Sequence, residues 1–178
     1  NIALNQSVED STLFLMASIS KTIMVTAIMQ LWEEGLFDLN ENINNYLQPE
    51  FQVFNPYYPN DTITFKMLMT HTSSIKDNWN ILIPVVTCDD SPIPLDSFLV
   101  NYFTPGGIYY SPLNFNNYSP YGNYYNYSNS GACVLAYLIE KLSGMPFDQY
   151  CRENIFDPLN MDKTSWFLEG LDTTKIAT

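Results

Sequence analysis

The chain is poor in basic residues and in long apolar runs, and each shortage argues against a class of protein. Seven Lys and Arg stand against 19 Asp and Glu, which gives a net charge of −12. Nucleic-acid phosphates and anionic membrane surfaces both attract clustered cations, so this balance argues against either partner. The longest apolar stretches, such as residues 80–86, are far shorter than the roughly 20 residues that cross a bilayer. We therefore expect no nucleic acid and no membrane span.

Cysteine and histidine are too few and too scattered to indicate a metal site. The cysteines are Cys88, Cys133 and Cys151, and the single histidine is His71. No paired C-x-x-C spacing occurs, so we predict no metal and no other cofactor. We interpret Cys133 and Cys151 as thiols on helices, while one disulfide among the three cysteines stays possible.

What the chain does contain describes one globular, mainly helical unit. Hydrophobic residues make up 46% of its 178 residues, which suffices for one domain with a core and not for two. Apolar residues recur at helical spacing over about 18–34 and about 128–143, and a glycine follows each segment. The first half of the 18–34 helix is apolar nearly all round, which predicts a fully buried helix. Shorter helices are predicted over 39–47, 64–70, 95–103 and 147–153, a strand or hairpin end over 1–14, and a tyrosine-rich loop over 106–127.

A hydroxyl and an amine lie three residues apart at the start of the first long helix. Ser18 and Lys21 form a Ser-x-x-Lys pattern, and this spacing puts both side chains on one face of a helix. A serine hydroxyl becomes a good nucleophile only when a nearby group takes its proton. Lys21 and Tyr127, which opens the Tyr127-Ser128-Asn129 segment, are groups of this kind. The pattern indicates nucleophilic catalysis, and its alternative is a capped helix with a solvated lysine.

Five sequence blocks resemble the serine β-lactamase and penicillin-binding protein superfamily. They follow the family order along nearly the whole chain, at residues 12–22, 31–40, 68–75, 127–131 and 156–164. The blocks look most like the branch of class C β-lactamases, D-alanyl-D-alanine carboxypeptidases and family VIII esterases. The resemblance implies that 1–178 is a single partial domain, the helical domain of the α/β β-lactamase-like serine hydrolase fold. Little of that fold's antiparallel sheet is expected in this chain.

The resemblance also implies a role for each matching residue. Ser18 would be the acylated nucleophile, and Lys21 would help to deprotonate it. Tyr127 would act as the general base in acylation and as an acid toward the leaving group, and Asn129 would bind the substrate amide and position Lys21. The substrate would be a β-lactam, a D-amino-acid peptide or a carboxylic ester. His71 would support the fold rather than serve in a Ser-His-Asp triad.

Three departures from the family pattern shape the alternatives. Neither Lys-Thr-Gly nor His-x-Gly, the family's third motif, occurs in the sequence, and most of the sheet would follow Thr178. Ser74 replaces a glycine in a turn that requires positive φ, so we expect strain there. The chain could be a fragment, part of a split protein or a piece of a larger one, with another chain or segment supplying the sheet. The competing hypothesis is a catalytically inactive domain with a structural or assembly role. Secreted or extracytoplasmic and mitochondrial locations are both compatible with the resemblance.

Overall fold

The protein is mainly α-helical. The computed structural model describes residues 7–47, 49, 51–85, 87 and 89–177. Within these ranges strand pairing is limited to isolated bridges, which join Leu13 to Ile176, Asn42 to Thr64 and Ile75 to Phe115. The α-helices of the described residues are α1 (Ser20–Glu33), α2 (Phe65–Met69), α3 (Trp79–Leu82), α4 (Leu95–Phe103), α5 (Asn129–Ser143) and α6 (Phe147–Cys151).

Helix α5 forms the centre of the fold. Helices α1, α2, α4 and α6 all pack against it, and its residues from 130 to 139 are buried except at position 133. Ser128 caps its start by accepting a 2.9 Å hydrogen bond from the backbone N–H of Gly131. Gly144 ends it with a φ of 71°, a left-handed conformation that glycine adopts without strain. This helix forms where the sequence pattern predicts it.

Helix α1 is less buried than its sequence predicts. It follows a 3₁₀ turn over Ala17–Ile19 and packs one face against α5 and α6. On its other sides Thr22 is exposed and Ile23 is only half-buried, because that side borders an open groove rather than another element. The prediction of a helix buried all round in its first half is therefore wrong. The buried residues of α1 are Met24, Ala27, Ile28 and Leu31.

Two shorter predictions also differ from the structure. Within 39–47 only a 3₁₀ turn forms, at Ile43–Asn45, because Asn42 is extended and pairs with Thr64 instead of starting a helix. Residues 7–14 of the predicted strand region contain only the bridge at Leu13, and residues 1–6 lie outside the described part. Helices α2, α4 and α6 agree with their predictions, whereas α3 was not predicted. A π-helical turn, Arg152–Phe156, continues α6.

The loop over 71–78 lies beside the start of α5 and is fixed by a buried polar network. The Tyr102 hydroxyl donates to the carbonyl of Lys76 at 2.8 Å and accepts from the backbone N–H of Asn78 at 3.0 Å. The Asn78 side chain donates to Asn114 Oδ1 at 3.0 Å, and Asn114 in turn donates to the Tyr102 carbonyl at 2.9 Å. These bonds hold a loop without regular secondary structure in one conformation.

Positive φ angles at non-glycine residues mark this loop. Ser74 has a φ of 63° and His71 a φ of 55°. The sequence predicts a positive φ at Ser74, where the family has glycine, and the structure confirms it. Asn160, outside this loop, has a φ of 54°, a conformation that asparagine tolerates better than most residues.

Candidate active site

The starts of α1 and α5 bring the predicted site residues together. Tyr127 Oη donates to Ser18 Oγ at 2.7 Å, although the two residues are 109 positions apart in sequence. Lys21 Nζ lies 3.5 Å from Ser18 Oγ and donates to Asn129 Oδ1 at 2.8 Å. The packing of α1 against α5 therefore joins a phenol, an alcohol, an ammonium and an amide in one chain of contacts.

The surroundings of Tyr127 make its phenol easier to ionise than that of a free tyrosine. Its partial burial opposes ionisation and raises the pKa, but interactions with the Lys21 ammonium and the Ser18 hydroxyl outweigh this effect. The pKa of Tyr127 is consequently below its ordinary value. The Lys21 Nζ atom also lies 5.0 Å from the centroid of the Tyr127 ring. A phenolate held in this way can accept a proton from a neighbouring hydroxyl.

His71 packs against the ring of Tyr127. Its ring centroid lies 4.5 Å from that of Tyr127, and its Nδ1 accepts a 3.3 Å hydrogen bond from the backbone N–H of Ser128. Burial and the nearby charge of Lys21 lower the pKa of His71, despite an opposing effect of Asp77, and so favour the neutral ring. This placement agrees with the interpretation of His71 as a supporting residue.

Sequence reasoning misses Asp77, a carboxylate that lies under the start of α5. Asp77 is 6% exposed and accepts five hydrogen bonds, all from three consecutive residues. A carboxylate is favourable at a helix N-terminus, but nothing in the sequence indicates which helix a loop residue will meet. The only local signal is its place in the loop six positions after His71. The donors are the hydroxyls of Ser128 and Ser130, the backbone N–H groups of Asn129 and Ser130, and the Asn129 side chain.

Two concave surfaces flank the site. A cleft of about 300 Å³ has Lys21 and His71 on its rim, and its other walls are mostly apolar residues of α1, α2 and α5. A wider groove of about 910 Å³ runs along the 3₁₀ turn before α1 and reaches the segment over 156–171. In the described ranges no group of three or more His, Cys, Asp and Glu could hold a metal ion, and no helix is long and apolar enough to cross a membrane.

Cys133 and Cys151 make none of the hydrogen bonds described above. Cys133 on α5 and Cys151 on α6 are free thiols on helices, as predicted, and Cys88 lies outside the described residues. Burial raises the pKa of Cys133 and of Cys151 to about 11. Both thiols therefore stay protonated, and poorly nucleophilic, at neutral pH.

Comparison with known proteins defines the class to which this helical fold belongs. The Beta-lactamase family model matches residues 1–177, so the chain belongs to the β-lactamase family, within the serine β-lactamase and penicillin-binding protein superfamily. Penicillin-binding protein 4* of Bacillus subtilis (strain 168) is 27% identical over 173 residues, which cover 93% of this chain and 33% of that protein. The chain spans about a third of the length of the curated relatives it matches.

Solved structures share the same fold. The penicillin binding protein from Bacillus halodurans matches with a TM-score of 0.72 and 27% identity, over 99% of this chain and 49% of that one. The D-amino acid amidase from Ochrobactrum anthropi SV3 matches with a TM-score of 0.67 and 23% identity, over 92% of this chain and 41% of that one. The mainly helical unit described above is thus one part of a β-lactamase-like fold.

Proposed function

We propose that this chain carries the nucleophile of a serine hydrolase that cleaves amide or ester bonds through an acyl-enzyme. Membership of the β-lactamase family supports a serine hydrolase-type function in general. The observation that supports the specific site most directly is the 2.7 Å contact between Tyr127 Oη and Ser18 Oγ. A nucleophile and a base must lie within such a distance for proton transfer.

Each site residue takes a defined part in the proposed reaction. Ser18 Oγ attacks the carbonyl carbon of the substrate while Tyr127 accepts the hydroxyl proton. The C–N or C–O bond then breaks, and Tyr127 returns the proton to the leaving group. Water attacks the resulting acyl ester, which releases the acid and restores Ser18. Lys21 stabilises the phenolate form of Tyr127, and Asn129 holds Lys21 and contacts the substrate amide.

The proposed substrates are β-lactams, D-amino-acid peptides and carboxylic esters. The names of the reported relatives, two penicillin-binding proteins and a D-amino acid amidase, favour the first two classes. The wall of the site that would carry a Lys-Thr-Gly or His-x-Gly motif is not encoded in these 178 residues. We therefore propose that another chain or segment supplies the sheet and completes the substrate site.

A covalent probe tests the nucleophile. A fluorescent penicillin and a fluorophosphonate should each label the intact protein at Ser18, and Ser18→Ala should abolish labelling. Ser20→Ala is the matched control, because Ser20 is the neighbouring hydroxyl and begins α1. It should keep the label. Equal labelling of the wild type and Ser18→Ala would reject the proposal.

A second pair of variants tests the base. Tyr127→Phe keeps the ring but removes the hydroxyl, and should slow labelling by about 10²–10⁴-fold, the usual contribution of a general base. Tyr125→Phe is the matched control, since Tyr125 is 69% exposed and lies two residues earlier. A Tyr127→Phe protein that reacts at the wild-type rate would remove Tyr127 from the mechanism.

A second candidate is a catalytically inactive domain with a structural or assembly role. It is favoured by the apolar residues beside Ser18, since Leu15 is 77% and Ile19 is 60% exposed. Such a patch is suited to contact with another polypeptide. A folded wild-type protein that takes no label from either probe would support this candidate. A coding sequence that continues beyond Thr178 into a Lys-Thr-Gly or His-x-Gly motif would count against it.

A further inference from the structure

We propose that Asp77 is a positioning residue that fixes the Asn129 amide, so that the amide oxygen faces and holds Lys21. Only the effect that this inference predicts on the reaction rests on the proposed function. The contact chain itself, from Asp77 through Asn129 to Lys21, is a feature of the fold.

The Asn129 side chain lies between a carboxylate and an ammonium. Its Nδ2 donates to Asp77 Oδ2 at 2.8 Å, and its Oδ1 accepts from Lys21 Nζ at 2.8 Å. A flipped amide would place its NH₂ against the ammonium and its oxygen against the carboxylate, and neither pair could form a hydrogen bond. Asp77 and Lys21 together therefore select one orientation of Asn129.

Asp77 is suited to this task because the fold holds it rigidly. Its side chain is buried against five donors at the start of α5. Its chain neighbours Lys76 and Asn78 are both bonded to the Tyr102 hydroxyl. A lysine side chain is long and flexible, so its position depends on acceptors of this kind. The packed scaffold thus fixes Asp77, Asp77 fixes the Asn129 amide, and the amide fixes Lys21.

Replacement of Asp77 should slow the proposed reaction although it removes none of the reacting atoms. Asp77→Asn keeps the size of the side chain but replaces one acceptor oxygen with a donor, which would face the donors of α5. Asn129 would then lose its fixed orientation, and Lys21 would lose its 2.8 Å acceptor. Outer residues that orient a reacting group typically change activity by about 10–100-fold, and we expect a loss of labelling rate in this range.

A double-mutant cycle tests whether Asp77 acts through Asn129. Labelling rates of Ser18 by the fluorescent penicillin would be compared in the wild type, Asp77→Asn, Asn129→Ala and the double variant. If Asp77 acts through Asn129, Asp77→Asn should have little further effect once Asn129 is alanine. Losses that multiply independently would overturn the proposal. Ser130→Ala is the matched control, because it removes one donor to Asp77 and leaves the Asn129 contacts in place; it should lose far less activity than Asp77→Asn.

A second readout does not require turnover. The pKa of Tyr127 is measured by NMR titration of tyrosine labelled with carbon-13 at Cζ, with the signal assigned by its absence in Tyr127→Phe. The charged groups that act on the pKa of Tyr127 are Lys21 and Asp77, and His71 packs against its ring. Removal of the Asp77 charge alone would lower the pKa of Tyr127, whereas release of Lys21 would raise it. We expect Asp77→Asn to raise the pKa, and an unchanged or lowered pKa would overturn the proposal.

The two readouts separate the failure of this inference from the failure of the proposed function. A wild-type protein that takes no label would defeat the hydrolase proposal, and the titration would still test Asp77. If Asp77→Asn does not fold, as judged by circular dichroism, Asp77→Glu replaces it in both experiments. The longer side chain keeps the charge and displaces the carboxylate. The labelling rate should therefore again fall and the pKa of Tyr127 again rise, both by less than in Asp77→Asn.

Discussion

The two helix starts that form the site are built in different ways. At the start of α5, Ser128 is 1% exposed and caps the helix, and the buried carboxylate of Asp77 binds the first turn. At the start of α1, no side chain caps the helix, and Ser18 lies in an exposed turn beside the exposed Leu15. The start of α5 is therefore fixed by buried polar contacts, whereas Ser18 before α1 lies in a more exposed turn.

This difference bears on how the site could work. Groups that stabilise charge or accept a proton are most effective when the scaffold orients them before the substrate arrives. Tyr127 and Asn129 lie on the rigid half. Ser18, the proposed nucleophile, lies on the half whose apolar surroundings are left open by the described residues, so its geometry is the less constrained part of the site.

The largest expected effect contrasts a buried leucine on α5 with an exposed leucine before α1. Leu138 on α5 is 0% exposed, so Leu138→Ala should lower the free energy of unfolding by about 2–5 kcal/mol. Leu15→Ala truncates a side chain that is 77% exposed, so it should change the free energy of unfolding by less than about 0.5 kcal/mol. Urea unfolding of both variants measures the difference. A comparable loss at Leu15 would show that the α1 side is covered in the intact protein.

The next effect contrasts hydroxyls at the two helix starts. Ser128→Ala removes the cap of α5 and a hydrogen bond to Asp77, and should cost about 1–2 kcal/mol. Thr22→Ala in the first turn of α1 removes only an exposed bond to the Ile19 carbonyl, and should cost less than about 0.5 kcal/mol. Thermal and urea unfolding would test this ranking, and equal losses would contradict the proposed difference in rigidity.

A third comparison isolates backbone strain in the loop that supports α5. Ser74→Gly and Ser74→Ala both remove the hydroxyl that accepts from Asn55, whose amide still has two carbonyl acceptors. Only glycine relieves the positive φ of 63°. Ser74→Gly should therefore be more stable than Ser74→Ala by about 1 kcal/mol. Two variants of equal stability would show that the turn is not strained.

The smallest effect compares a tyrosine at the site with one outside it at alkaline pH. Burial and a 2.5 Å hydrogen bond to Glu41 raise the pKa of Tyr46 to about 12. Because the unfolded value is about 10, the protonated phenol stabilises the fold below pH about 10, and this stability is lost as the pH rises toward 12. Tyr127 has a lowered pKa, so its contribution has the opposite sign.

Urea unfolding from below pH about 10 to pH about 12 measures both contributions, because Tyr127 contributes below its unfolded pKa of about 10 and Tyr46 contributes between about 10 and 12. Tyr46→Phe should reduce the loss of stability with rising pH, whereas Tyr127→Phe should increase it. Identical slopes in the two variants would mean that the environments of these phenols do not differ as the structure indicates.

The regular elements were the predictable part of the fold, and the errors have a common origin. Helices α4 and α5 follow from apolar spacing, and Gly144 marks the end of α5; both are local signals. The region over 39–47 fails to become a helix because Asn42 pairs with Thr64, more than 20 positions away. Helix α1 is exposed on one side because that side borders an open groove. Apolar periodicity does not show which neighbours a helix will have.

The sequence alone determined where the main helices begin and end, and it placed Ser18, Lys21, Tyr127 and Asn129 at two of those beginnings. Capping and apolar spacing act over three or four residues, so they can be read along the chain. Only the tertiary structure decided that these two helix starts meet and that Asp77 binds between the loop and α5. Contacts across 50 to 110 positions depend on how the helices pack, and a linear sequence does not encode that in any local pattern.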